Sequence, residues 1–214
     1  VGGDQGVVVT QGWKQAPLIE FAELVSTGPF GSMLHKSDYV SDGVPLINPT
    51  NIVDDAIVAD TDKQVGTAAL ARLQSYVLRV GDVVVGRRGE IGRCAVVGVE
   101  EEGWVCGTGC FFVRPKPVLN SRFLAQLLRS PMYRDQLEQA STGATMKNMS
   151  NTALAGLPIA VPSPDEQRRI VAILDEAFEG IATAKANAEK NLQKARELFE
   201  SVLDESLTMH GAGA

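Results

Sequence analysis

Ser163-Pro164-Asp165-Glu166-Gln167-Arg168-Arg169-Ile170 opens a run that continues to Leu207 without another proline and with Gly180 as its only glycine. Ser163 suits the N-cap, Pro164 the first helical position and Glu166 the N3 site of a capping box, so the stretch predicts a helix over 164–207. Apolar or small residues recur at Ile170, Leu174, Ala177, Ile181, Ala184, Ala188, Leu192, Ala195, Phe199 and Val202, mostly in steps of three and four, as in a coiled-coil seam. At the standard rise such a helix spans about 66 Å, roughly two small-domain diameters. The residues before it are too few to bury it, and a partner helix is expected. Ile170, Leu174, Ile181, Leu192, Phe199 and Val202 are its expected contacts.

The chain of 214 residues allows one good-sized domain and an extension. Its 44% apolar and 21% charged composition is ordinary for a globular protein, and no apolar run is long enough for a membrane helix. Residues 1–12 carry no basic n-region and read as a tail or cloning remnant, not a signal peptide. Residues 13–163 form the expected domain, and 208–214 a flexible tail. Three cysteines, Cys94, Cys106 and Cys110, are too few and too oddly numbered for a disulfide framework, and fit a reducing, cytoplasmic setting. Cys106 and Cys110 have no second pair or nearby histidine, so no metal is expected.

The net charge of −6 opposes nucleic-acid binding until its distribution is read. Residues 164–214 hold −4 and residues 13–163 only −1. Within the latter, Arg87, Arg88 and Arg93 crowd into seven residues.

Along the domain, Trp13–Leu24 reads as a strand and turn, Ser26–Asp42 as an exposed loop, Gly43–Ile47 as a strand and Gly66–Arg79 as helical. Val83–Val85 and Cys94–Val99 read as a hairpin, and Trp104–Val113 as one or two more strands. Asn120 or Ser121 caps a helix expected to run to about Gln139, followed by a polar loop at 141–151, a helical turn at 152–154 and a strand at 159–161. The expected class is α+β, with short, mostly antiparallel strands, a few helices and one long C-terminal coiled-coil helix.

Gly86-x-x-Gly89-x-x-Gly92 lacks the Gly-Lys-Ser/Thr ending of a phosphate loop. It reads better as a hairpin tip presenting Arg87, Arg88 and Arg93, side chains suited to phosphate or a guanine edge. Thr142, Thr145, Lys147 and Asn148 lie in a small, polar loop suited to close approach to a DNA backbone. Lys36 is a candidate from the exposure of its loop. Asn48-Pro49-Thr50-Asn51 lacks the aromatic of an amino-methyltransferase Asn-Pro-Pro-aromatic loop and reads as a turn. No catalytic constellation is evident.

The order of these pieces resembles half of a type I restriction–modification specificity subunit. The likeness runs through Gly12-Trp13-Lys14, Gly43–Ile47 with Asn51-Ile52, Gly81–Val85 and Arg88–Arg93. It continues through Phe123-Leu124 to Tyr133, Thr142–Thr145, and Leu157–Pro162 into Glu166–Ile170. The resemblance implies a non-catalytic subunit whose target recognition domain reads a few base pairs of double-stranded DNA through the major groove. It also implies a helix that spaces two such domains and docks methyltransferase (modification) subunits. S-adenosylmethionine, and the ATP of a restriction subunit, belong to those partners, so the chain itself needs no cofactor. Family members carry two recognition domains and two long helices; this sequence has one of each, which implies a fragment or a half-subunit that forms a homodimer. The alternative is a structural adaptor that scaffolds proteins and does not bind DNA, favoured by the acidic balance.

Overall fold

The computed structural model describes residues 12–60, 62–141 and 148–211. In chain order the elements are β1 (Lys14–Pro17), α1 (Leu18–Phe21), β2 (Ala22–Thr27), β3 (Tyr39–Val40), β4 (Val44–Ile47), β5 (Ile52–Val53), β6 (Ala56–Ile57), β7 (Gln64–Val65) and α2 (Thr67–Arg72). They continue with β8 (Val83–Gly86), β9 (Cys94–Val96), β10 (Val105–Cys106), β11 (Cys110–Pro115), α3 (Ser121–Arg129), α4 (Pro131–Gln139), α5 (Asn151–Ala155), β12 (Pro158–Val161) and α6 (Pro164–Gly211). The chain is α+β, as expected, and divides into two units, one ending at Arg169 and one beginning at Ile170.

One four-stranded sheet has the order β2-β11-β8-β9 and is antiparallel throughout. Its central strand β11 is buried along Cys110-Phe111-Phe112-Val113. Phe112 stands opposite Ser26 on one side and Val84 on the other. A second sheet, β10-β4-β7-β3, includes one parallel pair, β10 with β4. Alternation along these two strands feeds two cores. Ile47 and Cys106 join Phe112, Val84 and Leu78, whereas Leu46 and Val105 join Val65, Ala69 and Leu73. A strand buried on both faces reads as a continuous apolar run, which explains Leu46-Ile47 and Val105-Cys106. The two ends of the domain meet where β1 pairs antiparallel with β12, Ala16 opposite Ile159.

Three expectations are corrected. The helix from Asn120 does not reach Gln139 as one piece. Asn120 caps it, its Oδ1 accepting the Phe123 N–H at 3.0 Å, but it stops at Arg129 and α4 restarts at Pro131. Proline has no N–H for the helix and forces the preceding residue out of the α region, and Ser130 is extended at ψ 145°. The helix expected over 66–79 is only α2 and a 3-10 turn, Gln74–Tyr76. The lead-in to Leu24 contains two strands and one helical turn.

Two buried polar side chains tie segments that the sheets do not. The Asp82 carboxylate, 1% exposed, accepts from Arg114 Nε at 2.9 Å and Nη2 at 2.7 Å, and from the Arg79 N–H at 2.9 Å. Gln167, fully buried, donates Nε2 to the carbonyls of Val118 and Pro162, both at 2.9 Å, while its Oε1 accepts the Asn120 N–H at 2.7 Å. The Glu-Gln pair at the helix entry therefore splits its work. Glu166 binds Arg169 at the surface, and Gln167 satisfies three backbone groups in the interior. The Ser163 Oγ accepts the Glu166 N–H at 3.4 Å, the cap that the sequence predicts.

All three cysteines are free and buried. Burial pushes the Cys94 thiol up to about 11 and raises Cys106 and Cys110 as well. Because the thiolate is the reactive form, a thiol reagent at pH 8 is expected to find no cysteine in the native protein and all three after denaturation. Gln167→Leu leaves three backbone groups without their partner and is expected to cost about 3 kcal/mol in urea unfolding, whereas Glu166→Ala, which loses a surface ion pair, is expected to shift the urea midpoint far less.

Candidate nucleic-acid interface

The turn from β8 to β9 holds the three clustered arginines. It is closed by the Gly86 N–H on the Arg93 carbonyl at 2.8 Å, and Gly89 and Gly92 supply positive φ angles of 72° and 83°. The structure does not present three arginines side by side, as the sequence led us to expect. Arg87 is buried, 6% exposed, with its guanidinium between two rings, 4.8 Å from the centre of Phe30 and 5.3 Å from that of Phe111. Its Nε donates to Asn148 Oδ1 at 3.1 Å. Burial, then the neighbouring Arg88, lowers its pKa from the ordinary arginine value, although a guanidinium stays charged in proteins. Arg93 is half-exposed and committed, bound to the Glu90 carboxylate and to the Ile52 carbonyl at 3.1 Å. Arg88 is exposed, and its side chain makes no hydrogen bond or ion pair among the described residues. Its backbone bridges antiparallel to Asn148, so the loop ending at Asn148 and the arginine turn are neighbours in space.

Other segments converge on the same place. The Arg87 N–H donates to the Gly109 carbonyl at 3.0 Å, and the Met149 N–H to the Arg87 carbonyl at 3.2 Å. Gly28, just after β2, lies so close to the Gly107-Thr108-Gly109 turn that a Cβ on it would stand 1.9 Å from the Gly107 oxygen. A Cβ on Gly107 would in turn meet Asn48 Oδ1 and the Ile47 oxygen at 2.6 Å. Only glycine permits such backbone approach. The ends of β2, β4 and β8 and the β10–β11 turn thus form one junction, with the half-exposed Phe30, Arg88 and Asn148 around it. Phe30 and the 107–109 turn escaped the sequence reading. A Gly-x-Gly between two strands is the signal that marks close backbone approach.

Thr142, Thr145 and Lys147 lie outside the described residues. Lys36 is exposed in the 3-10 turn Lys36–Asp38 beside β3, in the other four-stranded sheet from the arginine turn. In that turn Asp38 pairs with Arg72 at 2.8 Å. Asn48–Asn51 is a 3-10 turn whose buried Asn51 accepts the Asn48 N–H and donates to the Val58 carbonyl, which accounts for the motif structurally. On α6, Ile181, Leu192, Phe199 and Val202 are all more than half exposed, while Ile170 and Leu174 are half-buried. Among the described residues no three His, Cys, Asp or Glu side chains are grouped to hold a metal ion, and no helix is long and apolar enough to cross a membrane.

Residues 11–193 match the family described as the type I restriction modification DNA specificity domain, and the chain belongs to that family. The specificity subunit of the type I restriction enzyme EcoKI from Escherichia coli K12 is 25% identical over 199 residues, covering 90% of this chain and 42% of that protein. The StySPI specificity subunit of Salmonella potsdam is 24% identical over the same coverage. This chain therefore spans less than half the length of these curated relatives. Among solved structures, one described as underlying complex assembly and conformational transition of the type I restriction–modification system superposes with a TM-score of 0.71 at 22% identity. It covers 94% of this chain and 47% of the other. The HsdS subunit from Thermoanaerobacter tengcongensis gives 0.61 at 24% identity, covering 85% and 41%.

Glu90 is the residue that ties down cations in this turn. Pairing with Arg93, then with Arg134 at 3.2 Å, holds its carboxyl below the usual value. A carboxyl so depressed contributes its pairing above the unfolded pKa and loses it as pH falls through the lower folded one. At neutral pH both arginines stay tethered. Glu90→Gln is expected to release them and to delay elution from a heparin column to higher salt, with Arg93→Ala in the same background restoring the original position.

Proposed function

We propose that this chain is a DNA target recognition unit of a type I restriction–modification specificity subunit, without catalytic activity of its own. The observation that carries the reading is the family match, which extends through the globular unit and most of α6. In this reading the junction around Arg88, Asn148 and Phe30 faces the DNA. Arg88 supplies an uncommitted cation for phosphate or a guanine edge, Asn148 an amide and Phe30 an apolar surface. Thr142, Thr145 and Lys147, which lie outside the described residues, belong to this reading as DNA contacts on the strength of their sequence alone. Helix α6 pairs with the helix of a second recognition unit, in a homodimer where this chain acts alone, and carries methyltransferase subunits. S-adenosylmethionine serves those subunits, ATP serves a restriction subunit where one is present, and the assembly works in the cytoplasm.

The exposed apolar residues of α6 support the pairing. Ile181, Leu192, Phe199 and Val202 are the large members of a row that steps mostly by three and four through Ala184, Ala188 and Ala195, and such a row is stable in water only when covered. Two copies related by a twofold axis would set the helices antiparallel and read an inverted repeat with an unspecified spacer.

Methylation mapping with the partner modification subunit is the direct test: a bipartite motif supports the reading, and methylation unchanged by deletion of this chain would sink it. Duplex binding is also expected to fall steeply with salt; a salt-independent interaction would favour the adaptor reading instead. Light scattering at micromolar concentration should give twice the chain mass, and Leu192→Glu with Phe199→Glu should halve it. A monomer before substitution would count against self-pairing.

A further inference from the structure

Arg87 poses a problem that the functional reading leaves open. Its guanidinium is buried, with no carboxylate partner among the described residues. Nη1 is the one buried side-chain nitrogen or oxygen without a hydrogen-bond partner among the described residues. A buried cation held only by an amide oxygen and two ring faces is costly, and a surface lysine or a leucine would have avoided that cost. The residue must return something for it, and its contacts show what. Its guanidinium and its Nε reach three separate segments: Phe30 after β2, Phe111 on β11, and Asn148 at the end of the loop. Two of these three, Phe30 and Asn148, belong with Arg88 to the rim of the junction.

We propose that Arg87 is a positioning residue, a buried cation that orients Phe30 and Asn148 and thereby presents Arg88 to the DNA, without touching the DNA itself. This rests on the DNA-reading function proposed above and reassigns Arg87 within it. The backbone of the loop end is secured independently, by the Met149 N–H on Arg87's carbonyl and by Asn151 Nδ2 on the Val25 carbonyl at 3.2 Å. The side chain of Arg87 is therefore free to govern orientation in place of attachment. A stacked guanidinium suits this task because its plane fixes the direction of Nε, which lysine cannot do.

The proposal has one test that needs no DNA. Asn148→Asp places a carboxylate where the uncompensated cation points, and is expected to raise Tm by about 3 °C. In an Arg87→Met background the same change is expected to give no rise. Equal effects in both backgrounds would overturn the pairing of Arg87 with residue 148.

The second test uses the duplex found by methylation mapping and the full chain with its modification partner. Arg87→Lys and Arg87→Met are each expected to weaken binding about tenfold with the salt slope unchanged, and to be non-additive with Asn148→Ala. Arg88→Ala is expected to flatten the slope by about one. If Arg87→Met flattens the slope by one, or Arg87→Lys retains full affinity, Arg87 acts as a contact charge and the positioning role is wrong. Absence of duplex binding by the unaltered chain would overturn the functional reading and the presentation of Arg88 with it, while the Tm cycle would still report on the Arg87–Asn148 pair.

Discussion

The burial of β11 on both faces organises the globular unit. Cys110-Phe111-Phe112-Val113 is closed to solvent and hydrogen-bonded on one side to β2 and on the other to β8. Such a strand has no free edge, so whatever the fold does for function it does at the strand's two ends. At the C-terminal end, Arg114 is held by the buried Asp82 carboxylate. At the N-terminal end the Gly107–Gly109 turn brings the backbone of Gly28, Ile47 and Arg87 together. One end is an anchor, sealed by a charge pair. The other is a junction of loops, where a rigid sheet carries residues free to face a ligand.

The sequence disclosed the elements best where one local signal was strong. The capped start of α6, the Val83–Val85 strand and its return at Cys94 need only capping, β-branched runs and turn glycines to be read. The division of the 121–139 helix was equally local: Ser130-Pro131 carries the break, and a run of apolar residues on both sides concealed it. The second sheet was less legible because its strands are two to four residues long and its parallel β10–β4 pair joins segments far apart in the chain. Periodicity cannot specify a partner over that separation.

The arginine cluster was legible in the sequence, and what each arginine contacts was not. Clustering picked out Arg87, Arg88 and Arg93, but adjacent arginines of the same chemistry have three different roles. Which one is buried depends on Phe30, nearly sixty residues earlier, and on Asn148, about sixty later. Which one is tethered depends on Glu90 and Ile52. Lys36, chosen from the exposure of its loop, lies in the 3-10 turn Lys36–Asp38 beside β3, a strand of the other four-stranded sheet.

That division of roles bears on how an acidic chain can meet a polyanion. A cluster of three free arginines would bind phosphate strongly but with little preference for position, since counterion release depends on charge number and not on geometry. Here the surrounding structure leaves one of the three uncommitted. Arg93 is neutralised by Glu90 and Arg87 is withdrawn between two rings, so Arg88 remains as a single cation on a glycine-bounded turn. The net charge of −6 works in the same direction by suppressing diffuse association. Weak non-specific attraction combined with a few oriented contacts favours discrimination between sequences over strong binding to any of them. A unit that addresses other subunits to a site, as proposed for this chain, would need that balance. On the proposed reading a single unit would gain from a second: two weakly attracted units held together by their helices would bind with the effective concentration of a linked pair, and each could stay individually weak.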